Sequence, residues 1–318
     1  MGAPEFISQD ELFRRVSPAQ AVDALIDALR AGFDPALDLP RTRYDVSGGT
    51  MMLMPASVAD FFGVKVLSLA SDAASRAIPL IQGSYLLFDA HSMAPVATID
   101  GAALTALRTP AVSLAGVRDF LVQSGEPLKA VIMGTGLQAR AHEDALRDVL
   151  DGVRDVEVTY IGRSKPEDLE AWCESGSAEA DAALGAAGLV ITATSATQPI
   201  VTAAQLREDA IVVAMGAHTA DTRELAGDVF AGATVIVEDV EVALREAGDV
   251  VLAIKEGHIQ ASDLIAWKDA VDGTAADGVA AASPATKRTG RVVFKTTGMP
   301  WEDVVVAAMA YQATAATT

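Results

Sequence analysis

Residues 129–142 read Lys-Ala-Val-Ile-Met-Gly-Thr-Gly-Leu-Gln-Ala-Arg-Ala-His, a short apolar strand running into a G-x-G-x-x-A turn and then a helix. Gly134 permits a tight turn, Gly136 lets the backbone approach a pyrophosphate, and Ala139 lets the helix lie close to the strand. Free N–H groups at such a helix start attract phosphate. Gly134, Thr135, Gly136, Leu137, Gln138 and Ala139 are therefore expected to hold a dinucleotide.

The flanking sequence divides into two rhythms. Before the turn, Ser17-Pro18 opens a helix through Leu29, with Ser17 as N-cap and Pro at the first helical position. Short β-like runs follow at Thr50 to Met54, Phe62 to Leu69, Ser84 to Phe88 and Pro95 to Ile99. Strands without intervening helices predict an antiparallel or mixed sheet. Thr105 to Val122 has helical periodicity, and Ser124 to Pro127 is a loop. After Lys129, apolar strands at Ala130 to Met133, Val156 to Ile161, Leu189 to Thr192, Ala210 to Met215 and Thr234 to Val237 alternate mostly with helices. That is the pattern of a doubly wound parallel sheet. Gly273 to Gly290 reads as a loop, and Trp301 to Tyr311 as a helix able to fold back over the first domain. The expected fold class is α/β: a Rossmann domain at 119–294 inserted into a discontinuous α+β domain at 1–118 and 295–318. Residues 1–6 look like a cloning remnant.

Bulk properties narrow the function. A net charge of −19 argues against nucleic acid, which needs clustered Lys and Arg. The chain is 51% hydrophobic, with a mean hydropathy of +0.29, yet no apolar run reaches the roughly 18–20 residues that span a bilayer. No secretory leader is visible. Cys173 stands alone, and His91, His142, His218 and His258 form no metal-ligand pair, so no disulfide and no metal site are expected. These features predict a cytoplasmic globular protein with no membrane partner.

The second strand ends in Gly162-Arg163-Ser164-Lys165. A site selective for NAD(H) usually places an acidic residue there to accept the ribose hydroxyls. A guanidinium, a hydroxyl and an ammonium suit a 2′-phosphate instead. NADP(H) is favoured, with NAD(H) the alternative. Thr192-Ala-Thr194 and Val213-Ala214-Met215-Gly216 follow later strands, where the nicotinamide half is expected.

Met54-Pro-Ala56, Gly63-Val-Lys65, Asp100-Gly101, Leu104-Thr-Ala-Leu-Arg-Thr109, Gly134 to Ala139, Arg223-Glu-Leu225, Val293-Phe-Lys-Thr-Thr-Gly298 and Glu302-Asp303 occur in this order. Together they resemble the ornithine cyclodeaminase/mu-crystallin family over nearly the whole chain. The Arg163 turn is most similar to the NADPH-binding mu-crystallin branch. The resemblance implies a Rossmann domain with a mixed-sheet domain that binds substrate and dimerises, and chemistry on small 2-amino or 2-imino acids. It assigns carboxylate binding to Arg43 and Arg108 and proton transfer to Lys65, a lysine expected beside two guanidinium groups and so lowered in pKa. Arg43 is preferred to Arg41 by its spacing to Met54-Pro-Ala56. The resemblance sets Ser84 near the nicotinamide, Thr194 and Thr296 along the cofactor cleft, and Gln82 beside the substrate. Two departures stand out: Ile81 replaces a histidine often found in the family, and His218 replaces the catalytic aspartate of cyclodeaminases. His218 is open to two readings, a proton donor or pocket wall, and a loop cap facing water.

The leading expectation is an NADP(H)-dependent reductase of ketimine or cyclic imine 2-carboxylates. An alanine dehydrogenase-like enzyme, an ornithine cyclodeaminase and a non-catalytic NADPH-dependent binding protein are the alternatives.

Overall fold

A computed structural model describes residues 3–71, 77–272 and 290–315. The chain forms two compact units, Met1–Ala111 with Met299–Thr318, and Val112–Gly298. The expected loop at 273–290 lies, apart from Gly290, outside the described residues.

The first unit is built on strands β1 (Glu5–Ile7), β2 (Thr42–Val46), β3 (Gly49–Val58), β4 (Phe61–Ala70), β5 (Ile81–Asp89) and β6 (Pro95–Asp100), in the sheet order β1-β6-β5-β4-β3-β2. β1 joins β6 in parallel and the rest are antiparallel, giving the mixed sheet that the helix-free run of strands predicts. β4 alternates strictly at its start, with Phe61, Gly63, Lys65 and Leu67 buried. That buried face places a lysine among apolar side chains.

Two helices complete this core. Pro18–Arg30 starts with Ser17 and Gln20 as a capping box and buries Ala21, Val22, Leu25, Ile26 and Leu29, one stripe of its surface. The C-terminal helix Pro300–Ala315 packs on β3, β4 and that helix, and its Trp301 ring lies 5.1 Å from Phe33. Residues 5 and 6 have a structural use: Glu5 and Phe6 belong to β1, and Glu5 accepts a 2.6 Å bond from Arg15.

The second unit holds β7 (Leu128–Met133), β8 (Val156–Gly162), β9 (Trp172–Glu174), β10 (Leu189–Thr192), β11 (Ile211–Ala214), β12 (Thr234–Val237), β13 (Leu264–Ala266) and β14 (Val292–Lys295). All pair in parallel, in the order β13-β12-β14-β11-β10-β7-β8-β9. The order reverses at β7, which has β8 on one side and β10 on the other. Ligands of such sheets bind outside the carboxyl ends of the strands at that switch point.

The boundaries of the two units differ from the expected 1–118, 119–294 and 295–318. Residues 112–118 belong to the second unit, where the Ser113 hydroxyl bonds His142 Nε2 at 2.9 Å. His142 is wholly buried, and desolvation pushes its pKa down to about 4, so its ring is neutral. Residues 295–298 also belong to the second unit, because β14 is inserted between β11 and β12. The helix expected through Val122 stops at Ala115, and a short turn of helix follows at Arg118–Leu121.

Candidate active site

The glycine turn joins β7 to the helix Leu137–Leu150. Gly134 has φ of +107°, and its N–H donates to the Ile161 carbonyl at 2.8 Å. A Cβ at this position would sit 2.5 Å from the Ala193 carbonyl, so only glycine fits. Gly136, at the N-cap, has no side-chain capping bond and open space around its Cα, while Ala139 is wholly buried against the sheet. Backbone N–H groups, a positive helix end and room for a ligand are the requirements of a pyrophosphate. The residues fit a dinucleotide.

Beyond β8, Arg163, Ser164 and Lys165 are all exposed. Arg140, from the first turn of the same helix, pairs with Asp168 at 2.8 Å just past this turn.

Further along the carboxyl edge, the expected cofactor residues differ in burial and in partners. Val213 and Ala214 are wholly buried inside β11, so their side chains face the core, and Met215 is the one that emerges, half-buried. The Thr194 hydroxyl donates to Glu224 Oε1 at 2.6 Å, and the Thr296 hydroxyl donates to Glu238 Oε1. Both threonines therefore brace their loops. His218 is exposed, with its Nδ1 3.2 Å from the Gly216 carbonyl.

Sequence reasoning missed the buried acids that organise this edge. Glu238 accepts from the backbone N–H groups of Thr297 and Gly298 as well as from the hydroxyls of Thr296 and Thr297. Glu224 was visible within Arg223-Glu-Leu225, without a role. Nothing in a lone glutamate between an arginine and a leucine signals its burial, since acids are mostly exposed.

In the first unit, Lys65 and Arg108 are brought together by two acids of the C-terminal helix. Lys65 Nζ donates to Asp303 Oδ1 at 2.7 Å, with both side chains wholly buried. Arg108 Nη1 donates to Glu302 Oε2 at 2.8 Å, and its Nε lies 3.2 Å from Asp303 Oδ1. Burial lowers the Lys65 pKa to about 8. The Arg108 charge pushes the same way, and Asp303 and Glu302 oppose both. One guanidinium, rather than the expected pair, acts on this lysine. Tyr85 pairs directly with Lys65 across β4 and β5, and burial, with Asp303 and Asp38 nearby, holds its hydroxyl well above the usual tyrosine range.

The other three expected residues divide between the two faces of the sheet. Arg43 is exposed on the edge strand β2, in register with Met52, and Arg41 precedes that strand, half-buried. Gln82 and Ser84 are exposed and lie on the opposite face of β5 from Tyr85, because side chains alternate along a strand. Gln82 and Ser84 therefore face away from Lys65, whereas Arg43, through Met52 and Leu67, shares the sheet face of Lys65.

The profile described as the ornithine cyclodeaminase/mu-crystallin family matches residues 10–318. The chain is 30% identical over 325 residues to the ketimine reductase mu-crystallin of Rattus norvegicus, covering 97% of each chain. It is 29% identical over 278 residues to Delta(1)-pyrroline-2-carboxylate reductase 1 of Burkholderia multivorans, covering 85% of this chain and 82% of the relative. The Delta(1)-pyrroline-2-carboxylate reductase of Thermococcus litoralis, solved with NADH and L-proline, is similar with a TM-score of 0.81 and 25% identity over 98% of each chain.

Proposed function

The chain belongs to the ornithine cyclodeaminase/mu-crystallin family, and from that premise we propose that it reduces imino acids, ketimine or cyclic imine 2-carboxylates, to amino acids with NADP(H). Its relatives are named as reductases of C=N bonds, and the chain is an NAD(P)-dependent oxidoreductase acting on carbon–nitrogen groups.

The observation that carries it is the buried group of Lys65, Asp303, Arg108 and Glu302. Lysine with a pKa near 8 holds a proton at neutral pH and can still release it, which suits a proton donor. Asp303 fixes Nζ in place. Arg108 supplies a planar fork for the substrate carboxylate. The two cations and two anions of this group cancel, so a bound carboxylate adds one negative charge, which Arg43 would balance. Lys65 would keep the imine nitrogen protonated and its carbon electrophilic. A reduced nicotinamide, when bound, supplies the hydride.

NADP(H) is favoured because Arg163 and Lys165 offer exposed cations where a carboxylate would select NAD(H). Gly134 to Ala139 would hold the pyrophosphate. The homodimer implied by the family would cover β2, an edge strand whose five residues are all exposed. A solution mass of twice 32.9 kDa is expected, and a monomer would remove that part of the reading.

Lys65→Met tests the chemistry. Turnover of pyrroline-2-carboxylate should fall at least about 100-fold, with NADPH affinity unchanged. Full turnover in that variant would refute the role of Lys65.

A further inference from the structure

The carboxyl edge of the parallel sheet contains a device that the hydride chemistry does not itself explain. Glu224 is wholly buried, yet no cation pairs with it among the described contacts. Its Oε2 accepts from the Thr192 hydroxyl at 2.8 Å and the Gly216 N–H at 2.7 Å. Its Oε1 accepts from the Thr194 N–H at 2.8 Å and the Thr194 hydroxyl at 2.6 Å. Four neutral donors from the ends of β10 and β11 thus converge on one carboxylate.

The surroundings are built to keep it there. A Cβ at Gly216 would lie 2.2 Å from the Thr194 carbonyl and 2.6 Å from Glu224 Oε1, so this loop closes on Glu224 only with glycine. Asp249, also wholly buried, accepts from the N–H groups of Glu224 and Leu225 at 2.7 and 2.9 Å. Lys295 Nζ lies 3.2 Å from Asp249 Oδ2 and donates to the carbonyls of Ala214 and Ala217 at 3.2 and 2.5 Å. The β10 loop also abuts the glycine turn, through Ala193 and Gly134.

We propose that Glu224 is a positioning residue for the nicotinamide half of the dinucleotide, fixing the β10 and β11 loops on that side of the switch point. The proposal rests on the dinucleotide reading given above. In a parallel sheet of this order the adenosine half lies over β8, beyond the pyrophosphate turn, and the other half lies over β10 and β11. Glu224 holds only the latter.

Calorimetric titration of the full chain separates the two halves. NADPH reports both, and adenosine 2′,5′-bisphosphate reports the adenosine side alone. Glu224→Gln keeps the shape but turns an acceptor oxygen into a donor, which opposes two of the four incoming donors. Its NADPH Kd should rise about tenfold, while that of adenosine 2′,5′-bisphosphate stays within about twofold. Equal loss with both probes, or loss with neither, would overturn the proposal. If the glutamine variant does not fold, Thr194→Val deletes a single donor. It should weaken NADPH about threefold and leave the fragment unchanged, and unchanged NADPH affinity there would also overturn the proposal. Wild-type protein that binds neither probe would defeat the cofactor reading itself. Wild-type binding without selective loss in the variants would defeat only the role of Glu224.

Discussion

Two buried acids in each unit serve opposite ends. In the first, Glu302 and Asp303 face the cations Arg108 and Lys65. In the second, Glu224 and Glu238 face hydroxyls and backbone N–H groups. A carboxylate against a cation tunes charge and leaves a titrating lysine between them. A carboxylate ringed by neutral donors fixes loops. The contrast teaches that burial of an acid does not by itself mark chemistry, and that its donors decide which purpose it serves. Removing charge from the first set should change proton transfer and stability, whereas doing so in the second should change the shape of a binding surface.

The largest effect should come from Arg108→Ala. It leaves Glu302 and Asp303 buried with one cation fewer, and urea unfolding should show a loss of about 3–5 kcal/mol. A loss under about 1 kcal/mol would mean that the charges of this cluster are not coupled.

Asp303→Asn sharpens the contrast through pH. The lysine must be protonated to act, so wild-type kcat/KM should be steady below pH 8 and fall as pH rises through about 8. Asp303 raises the Lys65 pKa by its charge and its hydrogen bond, so neutralising it lowers that pKa further. The alkaline limb should move to lower pH. An unmoved limb would detach Asp303 from the titration of Lys65.

A smaller effect is expected where cations meet solvent. Arg163→Ala with Lys165→Ala should raise the KM for NADPH about tenfold and leave NADH nearly unchanged, as the loss of exposed charge-assisted bonds predicts. Equal changes for both cofactors would remove the 2′-phosphate from this turn.

What could be read from sequence was local. The turn at Gly134 to Ala139 declares itself because its strand, glycines and helix are contiguous. The capped helix at Ser17 is legible for the same reason. β14 was missed, since four buried residues with no polar alternation carry no periodic signal. The partners of the site were hidden by distance along the chain: Lys65 and Asp303 are 238 residues apart, and Thr296 reaches Glu238 across 58. The motifs named Lys65 and Arg108, but their order along the chain could not reveal that both converge on Asp303. Nor could residue type separate Ser84 from Tyr85, adjacent in sequence and on opposite faces of β5.

The central claim is imine reduction, and oxidation of NADPH and NADH with preformed pyrroline-2-carboxylate, beside pyruvate plus ammonium, tests it most directly. Rapid NADPH oxidation with the cyclic imine and little with pyruvate and ammonium is the predicted result. Turnover confined to pyruvate and ammonium would contradict it and make the protein an amino-acid dehydrogenase.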